Sequence, residues 1–139
     1  MKRILITGAG GQIGSELVTS LRKRYGADEV LATDIRPLSN AVCNSGPTAI
    51  LDAQDQDAVA QTTVEHGTDT IFHLAAILSA VGETNPDLAY QINMGTLRSV
   101  LEVARLEKCS VFTPSSIAVF GPTSPKENTP QNDAAQNSD

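Results

Sequence analysis

Long apolar runs, cysteine and positive charge are scarce in this sequence of 139 residues. No apolar run approaches the roughly 18 residues that a membrane-spanning helix needs, so we expect no membrane partner. The formal net charge of −6 repels phosphate backbones, so we expect no nucleic-acid partner. The two cysteines, Cys43 and Cys109, lie far apart and outside any metal-binding spacing, which argues against a metal site.

A targeting signal is also missing from the first residues. The positively charged start is followed by a short apolar stretch that leads directly into a glycine loop, whereas a signal peptide needs a longer apolar region. Unpaired cysteines without a secretory signal are typical of a reducing compartment. We therefore expect a cytoplasmic protein, and its length predicts one domain.

Strands and helices alternate along the chain. Short apolar runs rich in β-branched residues predict strands at 3–7, 29–34, 49–51, 70–74 and 111–113. Helical spacing of apolar residues predicts helices at 12–25, 55–65 and 86–106. This alternation favours an α/β fold, a doubly wound parallel sheet of about five strands in the order 3-2-1-4-5.

Two regions lack a regular period. Proline, asparagine, serine and glycine predict a loop at 35–47. The polar, proline-containing end of the chain predicts an irregular or disordered tail, which divides the sequence into a domain at 1–120 and a tail at 121–139. In the long helix, the apolar side is predicted to consist of spaced aliphatic residues, namely Leu88, Ile92, Leu97, Leu101 and Ala104.

A glycine-rich turn follows the first predicted strand. Gly8, Gly11 and Gly14 form the pattern G-x-x-G-x-x-G between a strand and a helix. Glycine permits the sharp turn, the close approach of a pyrophosphate and tight helix packing, and the helix N-terminus offers free N–H groups to the phosphates. The pattern therefore predicts a Rossmann-type dinucleotide site. The alternative is a plain glycine turn without a ligand.

An acidic residue ends the second predicted strand at the spacing that such a site requires. Asp34 lies 20 residues beyond Gly14, where a carboxylate binds the adenosine ribose hydroxyls. The same carboxylate repels the 2′-phosphate of NADP, so NAD is the predicted cofactor. Arg36 is near enough in sequence to meet such a phosphate. The alternative for Asp34 is a solvated acid at a strand end.

Three segments resemble the signatures of the extended short-chain dehydrogenase/reductase family, which includes NAD-dependent epimerases and dehydratases. They are TGAGGQIG at 7–14, HLAA at 73–76 and PSSIAVFG at 114–121. Longer stretches, 73–105 and 112–130, resemble the L-threonine 3-dehydrogenases within that family. The resemblance implies an NAD-dependent oxidoreductase fold, truncated here before its substrate domain.

The resemblance also implies roles for individual positions. The cofactor would be bound by residues of the glycine loop, the strand ends and the long helix, namely Gly8, Gly11, Gln12, Ile13, Gly14, Asp34, Asp52, Leu74, Ala75, Ala76 and Asn93. Within this set, Asp52 would lie beside the adenine, and Asn93 would help to order the active site. Ser79 would lie near the substrate amino acid. Ser116, with Ser115 as the neighbouring candidate, would be the catalytic serine.

Several of these positions have a structural alternative. Asp52 also fits a helix cap, and Asn93 also fits a polar residue on a helix surface. Ser115 and Ser116 also fit ordinary polar residues at a strand end. His73 is predicted to be a packed strand histidine, because no partner stands at metal-binding spacing.

The general base that the family's chemistry needs is missing. The family uses tyrosine and lysine spaced Y-x-x-x-K, in which the lysine lowers the tyrosine pKa so that the phenolate takes the alcohol proton. Tyr25 and Tyr90 are followed four positions later by Glu29 and Met94. We therefore predict that this chain alone does not oxidise threonine at a useful rate. L-Threonine would be a partner only for a chain completed by a C-terminal part.

Alternative functions stay open on this evidence. Besides the NAD-binding portion of an L-threonine 3-dehydrogenase, the residues fit a non-catalytic NAD-binding protein or a fragment of a nucleotide-sugar epimerase. An interaction protein that binds no nucleotide is a further alternative. In the family, further strands and a further helix cover part of the sheet and of the long helix. Without them, this apolar surface would be exposed, which predicts a homo-oligomer.

Overall fold

The computed structural model describes residues 2–77 and 84–115. Its strands are β1 (Ile4–Thr7), β2 (Val30–Asp34), β3 (Thr48–Ile50), β4 (Thr70–His73) and β5 (Ser110–Phe112). Its helices are α1 (Gln12–Tyr25), α2 (Asn40–Asn44), α3 (Gln56–His66) and α4 (Pro86–Glu107), with a 3₁₀ turn at Ala27–Glu29. The strands form one sheet in the order β3-β2-β1-β4-β5, and every pair is parallel. The predicted fold is confirmed.

The three central strands are buried because helices cover both faces of the sheet. One core joins α1 and α2 to the sheet through apolar side chains that include Ile4, Ile6, Val18, Val30 and Val42. The second core joins α3 and α4 to the opposite face through side chains that include Leu5, Leu31, Val59, Ile71 and Val100. Successive residues of β1 alternate between these cores, as the two-residue period of a strand requires.

Strand register brings the functional positions to one edge of the sheet. Thr7 at the end of β1 is level with Thr33 of β2 and with His73 of β4. Asp34 follows Thr33 directly, and the glycine loop follows Thr7. The carboxyl ends of the strands therefore meet where an open α/β sheet binds its ligand.

Local capping sets the helix boundaries. Asp55 begins α3 by accepting a hydrogen bond at Oδ1 from the Ala58 N–H at 3.0 Å. Asn85 does the same for Leu88 at 3.1 Å in α4, and Pro86 occupies the first turn. The predicted helix α1 is confirmed residue for residue, and each of the other predicted boundaries lies within one residue of the boundary in the structure.

The prediction of a continuous loop at 35–47 is wrong, because α2 forms within it. Ser39 caps this helix by accepting from the Val42 N–H at 3.4 Å. Val42 is only 5% exposed and belongs to the α1-side core. The burial of the Val42 side chain therefore outweighs the preference of the surrounding residues for turns.

Arg22 ties this segment to α1 and to the sheet. Its side chain is buried, and its guanidinium donates to the backbone carbonyls of Val30, Val42 and Pro47 and to the Ser45 hydroxyl. Burial lowers the pKa of Arg22. These oxygens accept hydrogen bonds from the buried guanidinium. Arg22 therefore has a structural role, because it joins α1 to β2 and to the segment around α2.

The predicted apolar side of α4 is largely wrong. Leu88 and Leu101 are 44% and 47% exposed, and only Ala104 of the predicted set is buried. The buried side instead consists of smaller residues, namely Ala89, Thr96, Ser99, Val100, Val103 and Ala104. Small side chains allow α4 to lie close against α3 and the sheet. Ile92 and Leu97 are therefore only half-buried, and Leu88 and Leu101 are exposed.

Some predictions fall on residues that the structure does not describe. They include Ser79, Ser116 and the tail at 121–139. Within residues 2–77 and 84–115, none of the helices combines the length and apolarity needed to cross a bilayer. The same part of the chain holds no cluster of three or more His, Cys, Asp or Glu side chains placed to bind a metal ion.

Candidate dinucleotide-binding site

The glycine loop is compact because two of its glycines touch other backbone atoms. Gly8 has a φ of 74°, and a Cβ there would lie 2.5 Å from the Ala75 nitrogen. A Cβ on Gly14 would lie 2.3 Å from the Gly8 carbonyl oxygen. Gly8 therefore lets the loop touch the chain after β4, and Gly14 lets α1 rest directly on the loop.

Gly11 has a different environment. Its φ of −74° suits any residue, and among the described residues the only neighbour of an added Cβ would be the Gly8 oxygen at 3.4 Å. In this part of the chain the space beside Gly11 is therefore open, as the approach of a pyrophosphate requires.

Among the described residues, no side chain caps the N-terminus of α1. Gly11 caps the helix without a side-chain hydrogen bond, and the first turn contains no acidic residue. Helical bonding begins with the Ser15 N–H, which donates to the Gly11 oxygen at 3.0 Å. The preceding N–H groups, including those of Gln12 and Ile13, have no partner within the helix and carry its partial positive charge. Ile13 itself is 65% exposed at this helix tip.

Asp34 lies at the same helix tip. Its Oδ2 accepts a hydrogen bond from the Gly10 N–H at 3.0 Å, and its Oδ1 accepts from the Arg36 N–H at 3.1 Å. The Asp34 side chain is only 8% exposed. The alternative of a solvated strand-end acid is therefore wrong, because the carboxylate is buried and oriented by two backbone donors.

Asp52 is placed next to Asp34 by the pairing of their segments. The Leu51 N–H donates to the Asp34 carbonyl at 2.9 Å. Asp52 Oδ1 accepts from the Gln54 N–H at 2.9 Å, which is a local turn. The helix-cap alternative for Asp52 is wrong, because Asp55 is the residue that caps α3.

The segment after β4 forms the other wall of the site. The Leu74 N–H continues the sheet by donating to the Thr7 carbonyl at 3.0 Å. Asn93 of α4 holds the backbone of Ile77 at both ends, accepting from its N–H at 2.7 Å and donating to its carbonyl at 3.2 Å. Asn93 is therefore not a free surface amide. It fixes the path of the segment that contains Leu74, Ala75 and Ala76.

A buried polar pair lies beneath the glycine loop. The Thr7 hydroxyl and His73 Nδ1 are 2.8 Å apart, and both side chains are buried. Burial lowers the pKa of His73, so a neutral ring is favoured. His73 is a packed strand histidine, as predicted. Its partner Thr7 was not predicted, although Thr7 begins the glycine motif and ends β1.

The structure thus brings together the glycine loop, Asp34, Asp52, the 74–76 segment and Asn93. Ser115 is exposed just beyond β5, whereas Ser79 and Ser116 lie outside the described residues. Sequence reasoning missed Gly10, whose N–H orients the Asp34 carboxylate. The signal was available, since Gly10 is the one glycine of the loop outside the G-x-x-G-x-x-G pattern.

A dinucleotide fits this arrangement. Gly11 leaves room that a side chain would fill, α1 presents unpaired N–H groups, and Asp34 supplies a buried carboxylate within one hydrogen bond of the loop. A parallel sheet of this strand order with such a helix tip defines a Rossmann-type dinucleotide-binding domain.

Comparison with known proteins places this domain in a family. Residues 4–139 match the NAD dependent epimerase/dehydratase family, and the chain belongs to it. An uncharacterized epimerase/dehydratase of Staphylococcus saprophyticus is 52% identical over 132 residues, which are 94% of this chain and 41% of that protein.

Solved structures of similar sequence are L-threonine dehydrogenases. The enzyme from Clostridium difficile is 50% identical with a TM-score of 0.88, covering 94% of this chain and 41% of the other. The GalE-like enzyme from Cupriavidus necator, solved in a holo form, is 45% identical with a TM-score of 0.84, covering 93% and 42%. The chain thus spans about two fifths of the length of these relatives.

Proposed function

We propose that the chain is the NAD-binding part of an L-threonine 3-dehydrogenase. One observation carries the proposal: the open tip of α1 and the buried Asp34 carboxylate meet at Gly10, where N–H and Oδ2 are 3.0 Å apart. A pyrophosphate at the helix tip would therefore leave the adjoining ribose within reach of the acid.

NAD is favoured over NADP by the charge at that position. Asp34 is buried, with Oδ2 bonded to the Gly10 N–H and Oδ1 bonded to the Arg36 N–H, so a 2′-phosphate would be brought against a carboxylate in a poorly hydrated place. The ribose hydroxyls of NAD would instead donate to it.

L-Threonine is proposed as the substrate of the completed enzyme from the solved structures that are similar to this chain. In that reaction the threonine side-chain alcohol would lose a proton to the protein and a hydride to NAD, giving 2-amino-3-oxobutanoate and NADH. Within this chain, Ser79 would lie near the substrate and Ser116, or its neighbour Ser115, would bond the reacting oxygen.

These 139 residues do not include the tyrosine and lysine pair that would remove the proton. Neither Tyr25 nor Tyr90 has a lysine four positions later, and a positioned base contributes about 10²–10⁴-fold to such reactions. The chain alone is therefore expected to bind NAD and to leave threonine unreacted.

Calorimetric titration of the chain with NAD and with NADP tests this proposal. We expect a saturable heat with NAD, none with NADP, and no NADH absorbance on adding L-threonine. Absence of binding to either cofactor would leave an interaction protein as the better description. Threonine-dependent NADH formation by these 139 residues would show that the missing base is not required.

A second candidate is a non-catalytic NAD-binding protein, for which the same helix tip and Asp34 carboxylate would serve equally well. The two candidates differ in what a C-terminal part would do. Supplying in trans the remainder of a related L-threonine dehydrogenase should restore NADH formation if the first candidate is correct. A nucleotide-sugar epimerase fragment, which the family also allows, would instead gain activity on a UDP-sugar.

Self-association is part of the proposal. On α4, Tyr90, Met94 and Leu101 are 69%, 46% and 47% exposed, and their spacing places them on one face of the helix. Phe112 of the edge strand β5 is 53% exposed. Phe112 contacts Phe72 on the α1 side of the sheet, so it is a second patch, separate from the outer face of α4. We expect the apolar face of α4 to be covered by a second copy of the chain.

A further inference from the structure

The wall segment after β4, residues 74–77, lies between the glycine loop and α4. On the loop side, a Cβ on Gly8 would lie 2.5 Å from the Ala75 nitrogen. On the α4 side, the Thr96 hydroxyl shares its proton between the Ala75 carbonyl at 3.4 Å and the Asn93 carbonyl at 3.1 Å. The backbone of Ala75 is therefore held from both sides.

Hydrogen bonds from α4 take up the backbone groups of alternate residues in this segment. Thr96 donates to the Ala75 carbonyl, and the Asn93 side chain binds both the N–H and the carbonyl of Ile77. Ala76 lies between them and is exposed. Its backbone makes no hydrogen bond to any of the described residues. Ala76 is therefore the residue of the wall whose backbone groups are available to a ligand.

The proposed NAD site determines which half of the cofactor this wall segment meets. With the adenosine beside Asp34 at the end of β2 and the pyrophosphate at the loop after β1, the nicotinamide half extends over β4, where the segment begins. We propose that Thr96 is a positioning residue for that half. It touches no cofactor itself, and it holds Ala75 so that the backbone of Ala76 stays open to the nicotinamide ribose. The inference therefore rests on the proposed function.

A purely structural role for the Thr96 hydroxyl would be bonding within α4, which threonines in helices commonly show. Ser99 indicates that the inner face of this helix does not need a bonded hydroxyl. It is 4% exposed, as Thr96 is, and its hydroxyl has no partner in the part of the chain that the structure describes. The bond from Thr96 to Ala75 leaves the helix, so it is the contact through which Thr96 acts on the site.

Calorimetric titration with NAD and with ADP, which lacks the nicotinamide half, tests this inference. The wild-type chain is compared with Thr96→Val, which keeps the branched shape without the hydroxyl, and with Thr96→Ser, which keeps the hydroxyl. We expect Thr96→Val to reduce the ratio of NAD affinity to ADP affinity about threefold to tenfold, as the loss of one hydrogen bond does. Thr96→Ser should retain the wild-type ratio.

Thr63→Val is the matched control. Thr63 of α3 is 1% exposed, and its hydroxyl has no partner among the described residues, so the same substitution there should leave the ratio unchanged. If Thr96→Val does not melt cooperatively, Thr96→Ala takes its place. A parallel loss of NAD and ADP affinity, or an unchanged ratio, overturns the inference and leaves Thr96 a structural role.

The wild-type chain separates failure of this inference from failure of the proposed function. Equal affinity for NAD and ADP would mean that the wall segment gives nothing to the nicotinamide half, which overturns the inference and leaves the helix-tip site intact. Binding of neither ligand would refute the NAD site, and the role of Thr96 with it.

Discussion

Gly11 and Gly14 are separated by less than one helical turn, yet a methyl group would meet different surroundings at the two positions. At Gly11 it would enter open space, with the Gly8 oxygen at 3.4 Å. At Gly14 it would lie 2.3 Å from the same oxygen, which belongs to fixed backbone. The sequence pattern treats the two glycines alike, and only the tertiary structure distinguishes the glycine with space beside it from the glycine packed against backbone.

Alanine at each position separates these roles. Gly11→Ala should cost less than about 1 kcal/mol of stability, as a change of helix cap does, but weaken NAD binding about tenfold or more through lost phosphate bonds. Gly14→Ala should lower the free energy of unfolding by about 1–3 kcal/mol because the turn must shift. This loss exceeds the gain of up to ~1 kcal/mol in helix propensity. Urea unfolding and NAD titration of both variants measure this, and equal stability losses would contradict it.

Other residues show how far sequence alone could reach. The spacing of Asp34 from the glycine loop predicted its place, because the lengths of α1 and β2 are encoded locally. Its hydrogen bond from Gly10 was not predicted, since residues 24 apart meet only when β2 lies beside β1. Likewise Asp52 and Asp55 are both plausible caps in sequence, and helix geometry selected Asp55.

At the scale of the elements, α4 shows the limit of periodicity most clearly. Its sequence carries two apolar faces, one of small residues and one of larger residues. Which face packs inward depends on the space between α3 and β4. The sequence of α4 carries no information about the size of that space. The outward face, with Tyr90, Met94 and Leu101, is left exposed.

Disrupting that outward face should separate the copies. Burying a side chain of this size contributes about 1.5–3 kcal/mol, so Met94→Glu should raise the dissociation constant of self-association at least about tenfold. Val64→Glu, on the exposed side of α3 where Val64 is 61% exposed, is the matched control and should change nothing. Sedimentation velocity over a concentration series measures both, and a monomeric wild-type chain would refute the proposed surface.

At the scale of the whole molecule, two histidines, the buried His73 and the half-buried His66, link stability to pH. Burial lowers the pKa of His73, and burial is also the main reason for the lowered pKa of His66. Both rings therefore take up protons on unfolding as the pH falls below the ordinary value near 6.5. The free energy of unfolding is highest above that pH and declines as the pH falls towards the folded-state pKa values.

Urea unfolding between pH 7.5 and pH 5 should show this decline. Each proton taken up changes the free energy of unfolding by up to ~1.4 kcal/mol per pH unit. Although burial acts to raise the pKa of Asp69, hydrogen bonds from Thr70 and Lys2 hold it below its usual value, so that carboxylate acts only at lower pH. His73→Gln should flatten the profile between pH 7 and pH 5, and an unchanged profile would assign the effect to other groups.

The sequence by itself determined the order of strands and helices, the position of the glycine loop and the acid at the end of β2. These features follow from local periods, caps and spacings. The tertiary structure decided the inward face of α4, the formation of α2 and the burial of Arg22 among carbonyl groups. Those outcomes depend on which segments become neighbours, and contacts between residues distant in the chain leave no local pattern in the sequence.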